Sequence, residues 1–287
     1  MKPGVFEYVA PTTVEDALAV LAERGDDTSL LAGGQSLMPL MNMRLARPEV
    51  LLDLNGLNEL ASWGLSEDGL RAGALVRAAD LERSREVRAQ LPTLVEAISH
   101  IGHPQIRNRT TIGGNVAHAD PSSELPGMLA ALEGSVELTS SRGSRTLPWS
   151  EFFVSVFMTA REPDEMVTAV TFPVPHGWDV RFSEMARRHG DFPIVALTVA
   201  VRTDDDVVTG LRVAATGVSD RPVRLTAVEK AAVGRRLEPS LVRDLVALSR
   251  EEIDPQPDGA GSAEYRRYLL GTLLERSLLP DAAPAAA

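Results

Sequence analysis

Two pairs of adjacent glycines constrain this chain more than any other feature of its sequence. The first pair, Gly33 and Gly34, follows the apolar residues 30–32 and precedes the polar residues Gln35 and Ser36. Because glycine has no Cβ, a glycine pair at the end of a strand lets another group approach the backbone closely. That group is either a neighbouring segment of the chain or a ligand such as a phosphate. Taken alone, the pair favours a structural turn.

The second pair, Gly113 and Gly114, repeats the pattern further along the chain. Thr111 and Ile112 lead into it and Asn115 follows it, which again predicts a glycine turn. In such turns, backbone N–H groups can form a concave nest that holds a diphosphate without lysine or arginine. Two matching pairs make this role as plausible as two structural turns. Neither pair belongs to a G-x-G-x-x-G or a G-x-x-x-x-G-K-[ST] motif, so the sequence supports neither a nicotinamide Rossmann site nor a Walker-type site.

The overall composition excludes several classes of function. The chain has 287 residues, with 29 Lys and Arg against 40 Asp and Glu, and a net charge of −11. This charge argues against nucleic acid and against an anionic membrane surface as partners, because both attract clustered positive charge. The absence of cysteine excludes disulfides, a thiol nucleophile and a cysteine-ligated iron–sulfur cluster within this chain. With no signal-peptide pattern and no apolar stretch that approaches a membrane span, we expect a cytoplasmic protein.

The pattern of strands and helices changes at residues 173–178, where prolines and a glycine predict a domain boundary. Before it, apolar runs alternate with helical periodicity, which is typical of small α/β units. After it, the sequence predicts three strands and then three helices. The strands cover residues 180–187, 194–202 and 207–215, and the helices cover residues 225–233, 239–249 and 262–278.

Two longer motifs around the glycine pairs carry a family resemblance. They are AGGQSLMPLMNMRL at residues 32–45 and RNRTTIGGNVAHADPSSELP at residues 107–126. FEYVAPTTVEDAL near the N-terminus, RRHGDF at residues 187–192 and GSAEYRRYLLGTLLERSL near the C-terminus add to them. With these motifs the chain resembles the FAD-binding medium subunit of the molybdenum hydroxylases, the group of bacterial carbon monoxide dehydrogenase, nicotine dehydrogenase and xanthine dehydrogenase. The resemblance covers nearly the whole chain in the family's order.

The resemblance implies an α+β fold of the vanillyl-alcohol-oxidase type. Two α/β subdomains, residues 1–55 and the larger residues 56–175, would hold FAD between them. Residues 176–280 would form a C-terminal domain with a three-stranded antiparallel sheet and a helical bundle. Residues 281–287 have too little hydrophobic bulk to pack, which predicts a disordered tail.

The resemblance also implies which residues bind the cofactor. The two glycine loops would grip the FAD pyrophosphate from opposite sides. Ile101 and His103 would approach the flavin ring, and His118 would belong to the same site. Asp191 and Phe192 would lie near the isoalloxazine, where an aromatic side chain can stack. The full implied set is Ala32, Gly33, Gly34, Gln35, Ser36, Leu37, Ile101, His103, Thr111, Ile112, Gly113, Gly114, Asn115, His118, Glu124, Asp191 and Phe192.

Two glutamates have particular expectations attached to them. Glu124 falls where the family binds the adenosine ribose with a carboxylate. Glu184 stands where many relatives have a lysine near the flavin. A cation at that place would stabilise the reduced, anionic flavin, and a carboxylate would not. Either the side chain of Glu184 points away from the flavin, or this flavin is tuned differently.

A metal site is the weakest interpretation of the polar residues in this region. His100, His103, His118 and Asp120 include the residue types that bind metals. Their spacing fits no compact zinc pattern. We therefore expect no metal to bind to this chain.

The function implied by the resemblance is that of an oxidoreductase subunit within a larger complex. A molybdopterin-binding large subunit would hydroxylate the substrate, and an iron–sulfur small subunit would pass electrons to the FAD held here. The FAD would then reduce an external acceptor, so no residue of this chain would need to be a catalytic acid or base. A dimer of heterotrimers is implied, without nucleic acid or membrane insertion. Two alternatives remain open: a stand-alone FAD-dependent oxidase or reductase with its own substrate, and a non-redox nucleotide-binding module.

Overall fold

The computed structural model describes residues 2–279, which form three units around a common cleft. The tail at residues 281–287, for which disorder is predicted, lies outside the described residues. Within residues 2–279, no helix has both the length and the apolar character needed to cross a membrane.

The first unit is a parallel sheet of three strands, in the spatial order first, third, second. Its longer helix begins after Thr13, whose hydroxyl accepts a hydrogen bond from the N–H of Asp16 at 3.2 Å and caps the first turn. The helix buries Ala17 and Leu21 against Leu52 of the sheet. In chain order the elements are β1 (Glu7–Val9), α1 (Val14–Arg24), β2 (Thr28–Leu31), α2 (Leu37–Asn42) and β3 (Val50–Asp53).

The second unit is an antiparallel sheet of five strands with helices packed against it. Its elements are β4 (Trp63–Leu65), β5 (Gly69–Gly73), α3 (Ala78–Arg83), α4 (Arg85–Gln90), α5 (Pro92–His100), α6 (Pro104–Arg107), α7 (Ile112–His118), α8 (Glu124–Leu132), β6 (Ser135–Ser140), β7 (Gly143–Pro148), α9 (Trp149–Phe152), β8 (Phe153–Ser155), β9 (Met158–Thr159) and β10 (Met166–Pro173). The strands of the sheet follow the order β4–β5–β10–β6–β7, while β8 pairs with β9 in a separate hairpin.

Helix α8 lies at the centre of the molecule. All nine of its residues, from Glu124 to Leu132, are buried. It contacts α5 and α7 of its own unit and three strands of the third unit. A helix that is buried on every side is expected to be apolar throughout. Glu124 is the one ionisable residue in it, and this position therefore needs an explanation.

The third unit confirms the three strands and three helices that the sequence predicts. Its elements are β11 (Asp179–Met185), β12 (Val195–Asp204), β13 (Val207–Thr216), β14 (Val223–Arg224), α10 (Thr226–Ala232), α11 (Pro239–Glu251) and α12 (Ala263–Leu278). The antiparallel sheet has the order β11–β12–β13–β14. Its fourth strand, β14, was not predicted, because two residues carry no detectable periodicity. Helix α12 packs on this sheet through Leu270 and Leu274, and Leu245 of α11 joins the same core, where α11 packs against α10 and α12.

Candidate cofactor site

A cleft of about 510 Å³ opens where the three units meet. The first unit contributes the loop between β2 and α2, the second contributes the N-terminal ends of α7 and α8, and the third contributes the loop after β11. A cavity of this size suits a cofactor. The expected site residues that line it are Ala32, Gly33, Gly34, Gln35, Ser36, Leu37, Ile101, Thr111, Gly113, Gly114, Asn115, His118, Glu124, Asp191 and Phe192.

Glycine is required at the two positions of the first loop for different structural reasons. A Cβ on Gly33 would overlap with the carbonyl oxygen of Arg109, so a neighbouring chain segment occupies that space. Gly34 has a φ of +72°, a left-handed conformation that other residues rarely adopt. Gly33 thus allows close packing between two segments, and Gly34 turns the chain toward α2.

The first loop also presents unpaired backbone donors to the cleft. Within residues 2–279, no acceptor pairs with the backbone N–H groups of Gly33, Gly34, Gln35 and Ser36. The hydroxyl of Ser36 does not cap α2 either. Four adjacent N–H groups without an internal partner are available to an acceptor that enters the cleft. Consecutive N–H groups beside a glycine of positive φ have the composition of an anion-binding nest.

The second glycine pair is helical, and the turn predicted there is wrong. Gly113 and Gly114 lie in the first turn of α7, and neither has a positive φ. Thr111 caps this helix, because its hydroxyl accepts a hydrogen bond from the N–H of Gly114 at 3.1 Å. The prediction treated the glycines as turn residues and overlooked the threonine as a helix cap.

The backbone donors at the start of α7 are already used within the protein. The N–H of Ile112 donates to the carbonyl of Val76 at 2.9 Å, and the N–H of Gly113 donates to the carbonyl of Ala74 at 3.0 Å. A Cβ on Gly113 would lie 2.5 Å from that of Ala74, so this glycine is needed for close packing. The second loop therefore supplies shape and side chains, while free backbone donors come from the first loop.

Asn115 is a side-chain donor that Ser123 orients. The hydroxyl of Ser123 donates to Oδ1 of Asn115 at 2.9 Å, and Ser123 is 1 % exposed. The amide nitrogen of Asn115 has no acceptor among the described residues, and the side chain lines the cleft. Ser123 was not among the predicted site residues. It is the N-cap residue of α8, but its hydroxyl donates to Asn115 and does not cap the helix.

Arg161 brings a cation to the cleft that no sequence motif indicates. One terminal nitrogen of its guanidinium donates to the carbonyls of Glu162, Pro163 and Glu165 at 2.9, 3.4 and 2.8 Å. Burial lowers the pKa of Arg161, which still remains protonated because arginine starts from a very high value. Among the cleft-lining residues in the described part of the chain, it is the only arginine or lysine.

The loop after β11 carries an exposed aromatic side chain into the cleft. Phe192 lines the cleft while 64 % of its surface is exposed. Ile101, which is buried, and Leu37 add apolar surface to the cleft wall. An aromatic ring with a free face beside apolar side chains can stack on a planar ligand. Asp191 precedes it in the same wall, and its backbone N–H donates to the carbonyl of Arg188 at 3.1 Å.

Two titratable side chains of the cleft are held uncharged near neutral pH. Burial raises the pKa of Glu124 to about 8, and the negative charges of Glu184 and Asp120 add to this effect. Burial lowers the pKa of His118, against a smaller opposing effect of Asp120. The cleft is therefore less charged than its sequence suggests.

Glu184 does not line the cleft. Its side chain is 4 % exposed and pairs with His100, whose Nδ1 lies 2.8 Å from Oε1 of Glu184. The hydrogen bond to Glu184 raises the pKa of His100. Glu184 is therefore turned toward α5, as one of the two expectations from the sequence required.

Two residues of the implied set are not in the cleft wall. Ile112 is fully buried and packs in the core of the second unit, because the first position of α7 faces the sheet. His103 is exposed and precedes α6, and its ring packs against Gly190. A Cβ on Gly190 would lie 2.7 Å from Nδ1 of His103. Since Gly190 lines the cleft, His103 can act on the site only through this contact.

Other lining residues were missed because they belong to no motif. Thr28 and Ser29 come from β2, Thr110 precedes the cap of α7, and Val167 lies on β10. Only the threonine pair at residues 110–111 carried a signal, since a threonine before a helical segment is a typical cap. The others reach the cleft through the sheet topology. Within residues 2–279, no group of three or more acidic or histidine side chains is arranged to hold a metal ion.

Family models match this chain over nearly its whole length. A model described as the FAD binding domain in molybdopterin dehydrogenase matches residues 4–175, and one described as the CO dehydrogenase flavoprotein C-terminal domain matches residues 180–280. The chain belongs to the FAD-binding medium subunits of the molybdenum hydroxylases. The predicted family is thereby confirmed.

Similar medium subunits cover the chain almost end to end. Subunit alpha of the 6-hydroxypseudooxynicotine dehydrogenase complex of Paenarthrobacter nicotinovorans is 39% identical over 97% of this chain and 95% of its own length. Subunit beta of caffeine dehydrogenase from Pseudomonas sp. strain CBB1 is 37% identical over 97% of this chain and 95% of its own. A chain of the solved carbon monoxide dehydrogenase of Hydrogenophaga pseudoflava gives a TM-score of 0.92 at 35% identity, with 96% of each chain covered. The predicted fold is confirmed as well.

The cofactor of such a medium subunit is FAD, and the cleft fits this cofactor. Four unpaired N–H groups and the free amide of Asn115 suit the oxygens of a diphosphate. Phe192 offers a ring face to an aromatic ring system. The chain is accordingly an oxidoreductase subunit that binds FAD.

Proposed function

We propose that this chain is the electron-transfer subunit of a molybdenum-containing hydroxylase. It would accept electrons from the iron–sulfur clusters of a small subunit and pass them to an external acceptor. A molybdopterin-binding large subunit would carry out the substrate chemistry, in a dimer of heterotrimers. The relatives with the printed names "complex subunit alpha" and "medium chain" support a place in a multi-subunit complex.

The row of four unpaired backbone N–H groups from Gly33 to Ser36 carries the cofactor part of this proposal. The residues that carry these donors line the cleft, and among the described residues the donors have no internal acceptors. A diphosphate placed there would satisfy all four. Arg161 lines the same cleft and would offset part of the negative charge.

Bound FAD would supply the reversible uptake and release of electrons, and this chain would bind, orient and shield it. The loop from Gly33 to Ser36 would hold the diphosphate, and Thr111 and Asn115 would fix it from the other side. Phe192 would cover one face of the ring system and keep water from it. Ile101 and Asp191 would lie by the ring, with His118 in the same wall.

The cysteine-free composition supports the division of labour between subunits. Iron–sulfur clusters need cysteine ligands, so the electron donor must lie on another chain. In the cleft, Glu124 and the partly buried His118 are uncharged near neutral pH. Such a site suits electron storage better than acid–base chemistry on a substrate.

A comparison of the isolated chain with the assembled complex tests this proposal. The chain alone, loaded with FAD, should not oxidise aldehydes or N-heterocycles, but its flavin should accept electrons from a chemical reductant. Adding the co-purifying subunits should make the flavin reducible by the substrate of the complex. Substrate turnover by the FAD-loaded chain alone would instead establish a stand-alone oxidase or reductase.

A further inference from the structure

Two buried glutamates and a partly buried histidine form a cluster at the edge of the cleft. Glu124 begins α8, Glu184 lies on β11 and His100 ends α5. Glu124 is 4 % exposed and lines the cleft, whereas the side chain of Glu184 is 4 % exposed and lies behind it. Two carboxyl groups therefore share one buried region with a single imidazole.

The imidazole of His100 is hydrogen-bonded to Glu184. Nδ1 of His100 donates to Oε1 of Glu184 at 2.8 Å, and this bond raises the pKa of His100. The other oxygen of Glu184, Oε2, is buried and has no partner among the described residues. His100 is therefore the one side-chain partner of this carboxyl group among the described residues.

Glu124 has no cation of its own. Its backbone N–H is the one hydrogen-bond donor that stabilises its charged form, while Glu184 and Asp120 act against that form. The dipole of α8 favours a carboxylate at this position, but typically by less than about 1 kcal/mol at an ordinary helix end. Burying an unpaired carboxylate costs more free energy than the helix dipole returns, so the protonated, neutral form of Glu124 is favoured.

Among the described elements that pack against α8, α5 brings the compensating charge: His100 lowers the pKa of Glu124, but burial outweighs this effect. Strand β10 carries no ionisable residue, and the charged residues of β12 lie at its far end. Arg212 and Arg224 pair with Glu133 beyond the opposite end of α8. On α5, Glu96 is exposed, and on α7 burial keeps His118 neutral.

We propose that Glu124 is held as a neutral carboxylic acid beside the Glu184–His100 ion pair, and that its O–H donates a hydrogen bond to an oxygen of bound FAD. This inference rests on the proposed position of FAD in the cleft. It changes the role expected for Glu124, from a carboxylate that accepts hydrogen bonds to an acid that donates one. Glu184 and His100 act as positioning residues, since they do not line the cleft themselves.

A donated hydrogen bond makes FAD affinity depend on the proton of Glu124. FAD binds the protonated form, so binding opposes ionisation. Below the transition, affinity should not change with pH. Above it, the dissociation constant should rise roughly tenfold for each pH unit, because the competent form becomes rarer by that factor.

Titration of FAD into the flavin-free protein tests this inference. The full chain, with any subunits that co-purify, is titrated from about pH 6.5 to 9.5 while flavin fluorescence is recorded. The wild type should lose affinity above a transition near the raised pKa of Glu124. Glu124→Gln, which keeps a donor but cannot ionise, should bind FAD with a dissociation constant that shows no such transition. Glu184→Gln removes the neighbouring anion, which raises the pKa of Glu124, and should therefore move the transition to a lower pH than in the wild type.

An infrared measurement on the flavin-free wild type provides a readout that does not depend on binding. At neutral pH it should show the carbonyl stretch of a protonated, buried carboxyl group, and Glu124→Gln should remove this band. Identical pH profiles for the wild type and Glu124→Gln, or an absent band, would overturn the inference while FAD binding itself stands. Failure of the wild type to bind FAD at any pH would overturn the proposed function together with it.

Discussion

The hydroxyl of Ser123 donates a 2.9 Å hydrogen bond to Oδ1 of Asn115, and this bond links the N-terminus of α8 to a side chain of α7 in the cleft wall. Because the amide oxygen is occupied, the amide nitrogen of Asn115 is the end that is free for a ligand. Ser123→Ala should therefore weaken FAD binding by about 0.5–1.5 kcal/mol, the usual net worth of one such bond.

The control for this variant is Ser62→Ala. Ser62 is exposed, bonds only to the carbonyl of Glu59 at 3.3 Å and does not line the cleft. Isothermal titration with FAD should show a weaker affinity for Ser123→Ala alone. Equal affinities for the two variants would mean that Asn115 does not need this orientation.

Gly33→Ala should destabilise the protein and abolish the retention of FAD. The added methyl group would overlap with the carbonyl of Arg109, so the loop or its neighbour must move. We expect the free energy of unfolding to fall by about 1–3 kcal/mol. Gly64→Ala is the matched control, since nothing lies within 4 Å of a Cβ at Gly64. Chemical denaturation and the flavin content after gel filtration measure the two effects. A stable, yellow Gly33→Ala protein would contradict the close packing described above.

Arg161→Gln should lower the affinity for FAD by about 1.5–3 kcal/mol, the usual worth of a hydrogen bond to a charged group. It should also make binding less sensitive to salt, because a cation that faces the diphosphate is removed. Arg142 offers a matched control. It pairs with Glu162 and Asp164 near the same loop, but its side chain is 61 % exposed and does not line the cleft. If Arg142→Gln and Arg161→Gln lose equal affinity, the effect comes from the loop and not from the cleft.

Glu124 should make the flavin-free protein less stable as the pH rises. Its pKa is about 8 in the folded protein, against 4.5 as the ordinary value, so the folded state binds the proton more tightly. This contribution to stability is complete below about pH 4.5 and is lost as the pH rises through about 8. The loss is on the order of a few kcal/mol. The raised pKa of His100 acts with the same sign.

Denaturation of the wild type and of Glu124→Gln at several pH values checks this expectation. Both proteins keep His100, so its contribution largely cancels. The stability of Glu124→Gln relative to the wild type should increase between about pH 5 and 8. A constant difference over this range would mean that Glu124 is ionised in the folded protein.

Local sequence patterns predicted those features that depend on neighbouring residues. The three long strands and three helices of the third unit follow from periodicity alone. Gly34 turns the chain as expected from a glycine at a strand end. The need for a glycine at position 113 could not be predicted from local patterns, because Ala74, which packs against it, belongs to a distant segment. The helix itself has a local signal, because Thr111 caps its first turn although two glycines follow.

Contacts between distant segments could not be predicted from one sequence. His100 and Glu184 are 84 positions apart, and only the packing of β11 on α5 brings them together. Arg161 reaches the cleft from the loop after β9, where nothing in the sequence marks it as a ligand-binding residue. Ser123 was recognisable as a cap, but its bond to Asn115 depends on how α7 meets α8.

Purification of the tagged, full-length chain from its native host tests the central claim most directly. The preparation should contain about one FAD for each copy of this chain, together with partner chains that carry iron and molybdenum. Quantification of flavin, iron and molybdenum in the same sample gives the answer. A chain that purifies alone, without flavin and without metal-containing partners, would contradict the account.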